Sequence, residues 1–242
     1  GRILCAFGPT ALPTIVAVAG HVVAMGGGGF LAERDSPLDA FVLSLARRTR
    51  PRVVFLGTAG GDNPAVLAAF YEAFARRDCE PAVVRLHGVP EQPAEVVARA
   101  DVVYVGGGNT ANLLAVWRLH GIDRAVREAW ERGAVLGGVS AGANCWFEAC
   151  VTDSFSAALD GLRDGLGLLA GSFCPHYDGE ERRRPVYREL VARGFPGGLA
   201  CDDFAAAWYE DTELREVVAS RPGARGYRVT AAGEEPLESR LL

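Results

Sequence analysis

The chain has 242 residues, a net charge of −5, and 49% hydrophobic against 23% charged residues, a composition that supports a sizeable core. The acidic balance argues against a nucleic-acid partner, which needs a basic surface, and no apolar run approaches the length of a membrane span. All 25 basic residues are arginine, which excludes a Schiff-base lysine and the lysine of a phosphate-binding loop. The six cysteines, Cys5, Cys79, Cys145, Cys150, Cys174 and Cys201, form no C-x-x-C pair, a pattern expected of free thiols in a reducing cytoplasm.

Residues 1–20 read as an N-terminal extension interrupted by Gly8, Pro9 and Pro13. The alternative is a secretory signal with Ala17-Val18-Ala19 at its cleavage site. From His21 onward, short Val-rich runs alternate with segments of helical periodicity. Residues 21–25 end in Gly26-Gly27-Gly28-Gly29, and a helix is predicted over 37–48, with Ser36 as N-cap and Pro37 in its first turn. Residues 52–56 end in Gly57-Thr58-Ala59-Gly60-Gly61, and a helix over 64–77 follows Asn63 in the same way. Residues 82–86 are a weaker run. Residues 101–105 end in Gly106-Gly107-Gly108-Asn109 and lead into helices over 111–120 and 123–132. Residues 134–139 run into Ser140.

Continuous apolar strands alternating with helices specify a parallel sheet covered on both faces, an α/β three-layer sandwich. Such sheets bind ligands at the carboxyl ends of their strands, where four of these five runs turn through glycines. Beyond the fifth run the pattern predicts irregular loop over 148–169 and an arginine-rich helix over 180–193. Short strands follow over 198–208, 216–220 and 227–242, the last with a turn near Ala232-Gly233. With no repeat or linker, residues 21–242 read as one domain.

Gly138-Val139-Ser140-Ala141-Gly142 is a G-x-S-x-G elbow, a sharp strand-to-helix turn that lifts a serine oxygen out of a sheet. Serine is a poor nucleophile without a base and oxyanion donors. The Ala141 amide and the backbone of Gly106-Gly107-Gly108 are the candidate donors. The competing reading is that Gly138 and Gly142 only let a helix pack closely on the sheet. Of the four histidines, His21 faces the wrong end of the sheet, His87 follows the third run and His120 closes a helix. His176 lies in a Pro/Gly-bounded loop from which it can return to the elbow. Asp202, Asp203 and Asp153 are available to orient it, or are turn-forming aspartates. Glu180-Glu181-Arg182-Arg183-Arg184 is a solvated face, or the source of one guanidinium suited to pairing with a carboxylate. Two other signals fail. Leu31 stands where a dinucleotide loop needs its last glycine, and Cys174, His176 and Asp178 lack a fourth member for a zinc site. No cofactor and no metal is expected.

Three segments, Gly106-Gly107-Gly108-Asn109-Thr110, Gly138-Val139-Ser140-Ala141-Gly142-Ala143 and Pro175-His176, resemble in order and spacing the peptidase E family of serine peptidases, family S51. The segment from Ala24 to Phe30 is similar to that family's opening strand. The resemblance implies a flavodoxin-like fold, close to class I glutamine amidotransferase domains but with serine at the elbow. It implies Ser140 as nucleophile, His176 as general base, and Gly107, Gly108 and Ala141 as the oxyanion site. Asp203 matches the acidic position, with Asp153 near a second one. Arg182 matches the position that recognises a substrate aspartate in the family's aspartyl dipeptidases. The expected activity is hydrolysis of short peptides with an N-terminal aspartate; broader or cyanophycinase-like specificity, or a silent binding domain, is the alternative. A small peptide partner and a homodimer or higher homo-oligomer complete the expectation.

Overall fold

The computed structural model describes residues 20–89 and 91–242; apart from Gly20, the expected N-terminal extension lies outside the described residues. The five Val-rich runs form strands β1 (His21–Met25), β2 (Arg52–Leu56), β3 (Glu80–Val84), β4 (Val102–Val105) and β5 (Val135–Val139). Between them run α1 (Pro37–Ser44), α2 (Pro64–Phe74), α3 (Pro93–Ala98), α4 (Thr110–His120) and α5 (Ile122–Glu131). These crossovers make the five strands parallel. The helix starts follow local chemistry: Asn63 Oδ1 accepts from the Ala65 amide at 2.9 Å and Asn109 Oδ1 from the Asn112 amide at 2.8 Å.

After β5 come α6 (Ala141–Asn144), β6 (Phe147–Thr152), β7 (Asp160–Leu162), β8 (Leu169–Cys174) and α7 (Arg183–Ala192). The remaining strands are β9 (Gly198–Cys201), β10 (Ala205–Glu210), β11 (Glu213–Ala219), β12 (Gly226–Thr230), β13 (Gly233–Leu237) and β14 (Ser239–Leu241). An eight-stranded sheet has the order β14-β11-β10-β1-β5-β4-β2-β3, and a six-stranded sheet the order β13-β12-β9-β8-β6-β7. In the larger sheet the chain leaves β2 outward to β3, then returns past β2 to β4. The strand order therefore reverses between β2 and β4, and the crevice at such a switch point is where doubly wound sheets bind ligands.

Side chains alternate across the large sheet with the period of two that a strand imposes. Val22, Ala24, Val54, Leu56, Val103 and Val105 pack with α3, α4 and α5. Val23, Met25, Val53, Phe55, Val102 and Tyr104 pack with α1 and α2 on the opposite face. The expected three layers are thus present, with an addition. The smaller sheet packs on the face of α3–α5 through Phe147, Phe173 and Leu199. Its own far side is covered by Tyr187 and Val191 of α7.

Three expectations from sequence are corrected here. Residues 148–169 are not irregular loop throughout; they hold most of β6, which pairs with distant β8, and all of β7, which pairs with β6 at the sheet edge. The helix expected from residue 180 begins at Arg183. The strand expected over 198–208 is two strands in different sheets, broken at Asp202, Asp203 and Phe204.

Candidate active site

Ser140 joins β5 to α6 with φ 55° and ψ −113°, a conformation that costs a non-glycine residue roughly 1–3 kcal/mol and persists only where the surroundings enforce it. The flanking glycines supply that enforcement. A Cβ on Gly138 would lie 2.1 Å from the Gly142 carbonyl oxygen, and one on Gly142 would lie 2.3 Å from that of Val105. Both positions must be bare for α6 to sit this close to the strand ends. The Ser140 amide donates to the Met25 oxygen at 3.1 Å, and its carbonyl accepts from Ala143 and Asn144. Its side chain is half-buried rather than sealed in the core.

The neighbouring turn after β4 stands against it. A Cβ on Gly107 would lie 3.4 Å from Ser140 Cβ and 3.9 Å from its Oγ. Gly108 has φ 138°, and a Cβ there would lie 2.2 Å from the Ala59 oxygen. No hydrogen bond among the described residues uses the amides of Gly107, Gly108 or Ala141. Three candidate oxyanion donors are therefore uncommitted around the elbow.

His176 follows β8 with φ 52°. Its amide donates to the Gly26 oxygen at 3.2 Å and its carbonyl accepts from Glu180 at 3.1 Å. Its Nδ1 lies 2.6 Å from Asp203 Oδ1. With the proton on Nδ1 shared with a carboxylate, Nε2 is the ring atom left free to accept. Asp203 is fixed on both sides. Its amide donates to Asp178 Oδ1 at 2.7 Å, its backbone bridges to Gly27, and Phe204, at φ 65°, donates its amide to the Gly27 oxygen. The hydrogen bond from His176 holds the Asp203 carboxyl below its ordinary range against the opposing effect of burial, and the nearby Arg183 charge acts in the same direction as that bond.

The other two acids are elsewhere. Asp202 Oδ2 accepts from the Arg225 amide at 3.1 Å and the Tyr227 hydroxyl at 3.4 Å, and burial, then the nearby Asp178, pushes its pKa up to about 6. Asp153 is exposed just beyond β6. Cys174, His176 and Asp178 do not converge on a common point: the Cys174 thiol is buried and Asp178 serves the Asp203 amide.

A cavity of about 320 Å³ opens at the switch point between β2 and β4. Ser140, His176, Gly107 and Gly108 all line it. Arg182 does not. It is exposed at the residue before α7, and the next residue, Arg183, is the buried one, donating to Glu180 Oε2 and the Val151 oxygen. Successive positions on a helix point about 100° apart, so burying Arg183 turns Arg182 outward. Sequence reasoning missed three groups that build the site. Gly27 and Gly179 leave room for the Asp203 carboxylate, and Asp178 anchors its amide. The glycine run from Gly26 and the Asp178-Gly179 pair were the available signals.

A doubly wound α/β sheet thus brings a strained serine and an imidazole bonded to a carboxylate to one cavity at its switch point. The sequence profile of Peptidase family S51 matches residues 22–217, and the chain belongs to that family. It is 47% identical over 221 residues to the Uncharacterized peptidase YgaJ of Bacillus subtilis (strain 168), an alignment covering 90% of this chain and 95% of that protein. A Peptidase E of Citrobacter koseri is 34% identical over 131 residues, covering 48% of this chain and 57% of the relative. The crystal structure of a peptidase from an acI-B1 Actinobacterium shares the fold, with a TM-score of 0.68 at 18% identity over 92% of this chain and 96% of that one.

Proposed function

We propose that this chain is a serine peptidase acting on short peptides, with Ser140 as nucleophile, His176 as general base and Asp203 as the residue that orients it. The observation that carries the reading is the 2.6 Å His176–Asp203 hydrogen bond beside a cavity that His176 shares with Ser140. Asp203 fixes the tautomer of His176 and stabilises the imidazolium. His176 Nε2 takes the Ser140 proton as Oγ bonds to the scissile carbonyl carbon. The amides of Gly107, Gly108 and Ala141 receive the developing oxyanion. The imidazolium then protonates the leaving amine, the C–N bond breaks and an acyl-enzyme remains. Water, deprotonated by the same imidazole, attacks the ester; its collapse frees the acid and returns the proton to Ser140.

The free, buried thiols of the five described cysteines favour a cytoplasmic setting for this reaction. The position of Arg182 favours specificity broader than aspartate. The test is peptide hydrolysis by Ser140→Ala, together with labelling of Ser140 by a serine-directed phosphonate. Turnover falls by several orders of magnitude, because such groups act as a unit, and labelling is lost. Full hydrolysis by Ser140→Ala overturns Ser140 as nucleophile, and a wild-type protein that neither hydrolyses peptides nor takes the label overturns the reading in favour of a silent binding domain.

A further inference from the structure

We infer that the cavity beside Ser140 is a subsite for an uncharged, apolar side chain, carried by the residue that supplies the scissile carbonyl. Phe55, Leu31 and Val66 are its specificity-determining residues. The inference rests on the serine-peptidase reading above. The Cα of that substrate residue is bonded directly to the carbon that Ser140 attacks, so its side chain must enter the space that Ser140 itself lines.

That space is made by absent side chains over an aromatic floor. Phe55 is fully buried, its ring stacked on Phe70 at 4.8 Å and met edge-on by Phe30 at 5.6 Å. Gly57 and Gly106 lie over its edge: a Cβ on Gly57 would be 3.3 Å from Phe55 Cε1, and one on Gly106 would be 3.0 Å from Cζ. Any larger residue at either position would push into the ring. Val66 and Val139 add apolar wall, and Leu31, 59% exposed, stands at the mouth. At about 320 Å³ the cavity lies at the small end of ligand pockets, roughly 300–1,000 Å³.

The electrostatics exclude a carboxylate. The lining residues include no arginine, and the sole titratable member, His176, is committed to Asp203. Behind Gly57, Asp62 Oδ1 is buried with no hydrogen-bond partner and lies 3.5 Å from where a Gly57 Cβ would be. The other Asp62 oxygen is engaged by the amides of Leu86 and His87. A substrate aspartate would thus lose its hydration next to a largely apolar wall, with Asn63, whose Oδ1 is taken by the Ala65 amide, as its one side-chain amide and no cation to replace the water.

The test is kcat/KM for a series of dipeptides Xaa-Leu, with the leaving residue constant and Xaa as leucine, methionine, alanine, arginine or aspartate. Leu-Leu and Met-Leu exceed Asp-Leu by about 100-fold or more, on the scale of roughly 10–200-fold that a single methylene commands in an apolar pocket. Arg182→Ala leaves the ranking unchanged. Val66→Arg, or Leu31→Arg at the exposed rim should the first variant not fold, raises the ratio of Asp-Leu to Leu-Leu at least tenfold. In Ser140→Ala, calorimetry finds tighter binding of Leu-Leu than of Asp-Leu. Preferred cleavage of Asp-Leu by the wild-type enzyme, abolished by Ser140→Ala, overturns the apolar subsite while leaving the peptidase reading intact. Cleavage that Ser140→Ala does not affect overturns both.

Discussion

The Asp203 carboxylate occupies the place that a side chain on Gly27 would fill: a Cβ on Gly27 would lie 1.9 Å from Asp203 Oδ1 and 3.0 Å from His176 Nδ1. The opening glycine run is therefore part of the seat of the His176–Asp203 pair. Gly27→Ala forces the carboxylate aside without removing any reacting group. Displacements of about 1 Å cost on the order of 100-fold in turnover. The expected result is a kcat lower by that factor, with an unchanged circular dichroism spectrum.

The two adjacent aspartates should separate cleanly. Asp203→Asn removes the charge that fixes the His176 tautomer, and comparable changes lower kcat by about 10⁴-fold. Asp202→Asn touches only the Arg225 amide and the Tyr227 hydroxyl, so kcat/KM stays within about twofold, the range of a change with little effect on transition-state binding. Steady-state kinetics on both variants checks the pair.

Ser140 holds strained backbone that glycine adopts freely. Ser140→Gly relieves about 1–3 kcal/mol of strain and gives back roughly 0.5–1 kcal/mol through the greater freedom of the unfolded chain. Ser140→Ala keeps the strain. Urea unfolding should find the glycine variant more stable than the alanine variant by about 1 kcal/mol, with both inactive.

Asp39 is fully buried beneath the Gly29 turn, accepting from the Tyr104 hydroxyl at 2.7 Å. Burial raises its pKa from 3.8 to about 6, against the lowering effects of the Tyr104 hydrogen bond and Arg77. The native state therefore holds this proton more tightly than the unfolded chain. Its contribution to stability is whole below pH 4, declines as pH rises to 6, and is absent above, a loss of about 3 kcal/mol. Asp39→Asn has no such proton to lose. The difference in urea midpoint between pH 4.5 and pH 7.5 should shrink in that variant relative to wild type.

The parallel half of the fold was legible because its signals are local: Val-rich runs, glycine exits, and Ser-Pro and Asn-Pro helix starts. The smaller sheet was not. β6 carries Glu148 and Thr152 among apolar residues, and what makes it a strand is β8, which lies beyond β7 in the chain. The elbow serine was readable because its glycines sit at fixed spacing and each meets a backbone carbonyl. The choice of Asp203 over Asp202 came from the family resemblance, not from the local pattern. Neighbouring residues leaving a strand point to opposite sides, and which side holds the histidine depends on the positive φ of His176 and Phe204. Arg182 matched by register alone, and register does not reveal which arginine of a run its helix buries.

The site is divided between two sheets. Ser140 leaves the larger one, while His176 and Asp203 leave strands of the smaller. On the ribosome the hydroxyl emerges well before its imidazole, and the carboxylate comes later still. Synthesis adds only about 5–20 residues per second, so a growing chain spends seconds with an elbow it has no means to fire. On the proposed mechanism, the order of translation thus withholds peptidase activity from the growing chain during that interval.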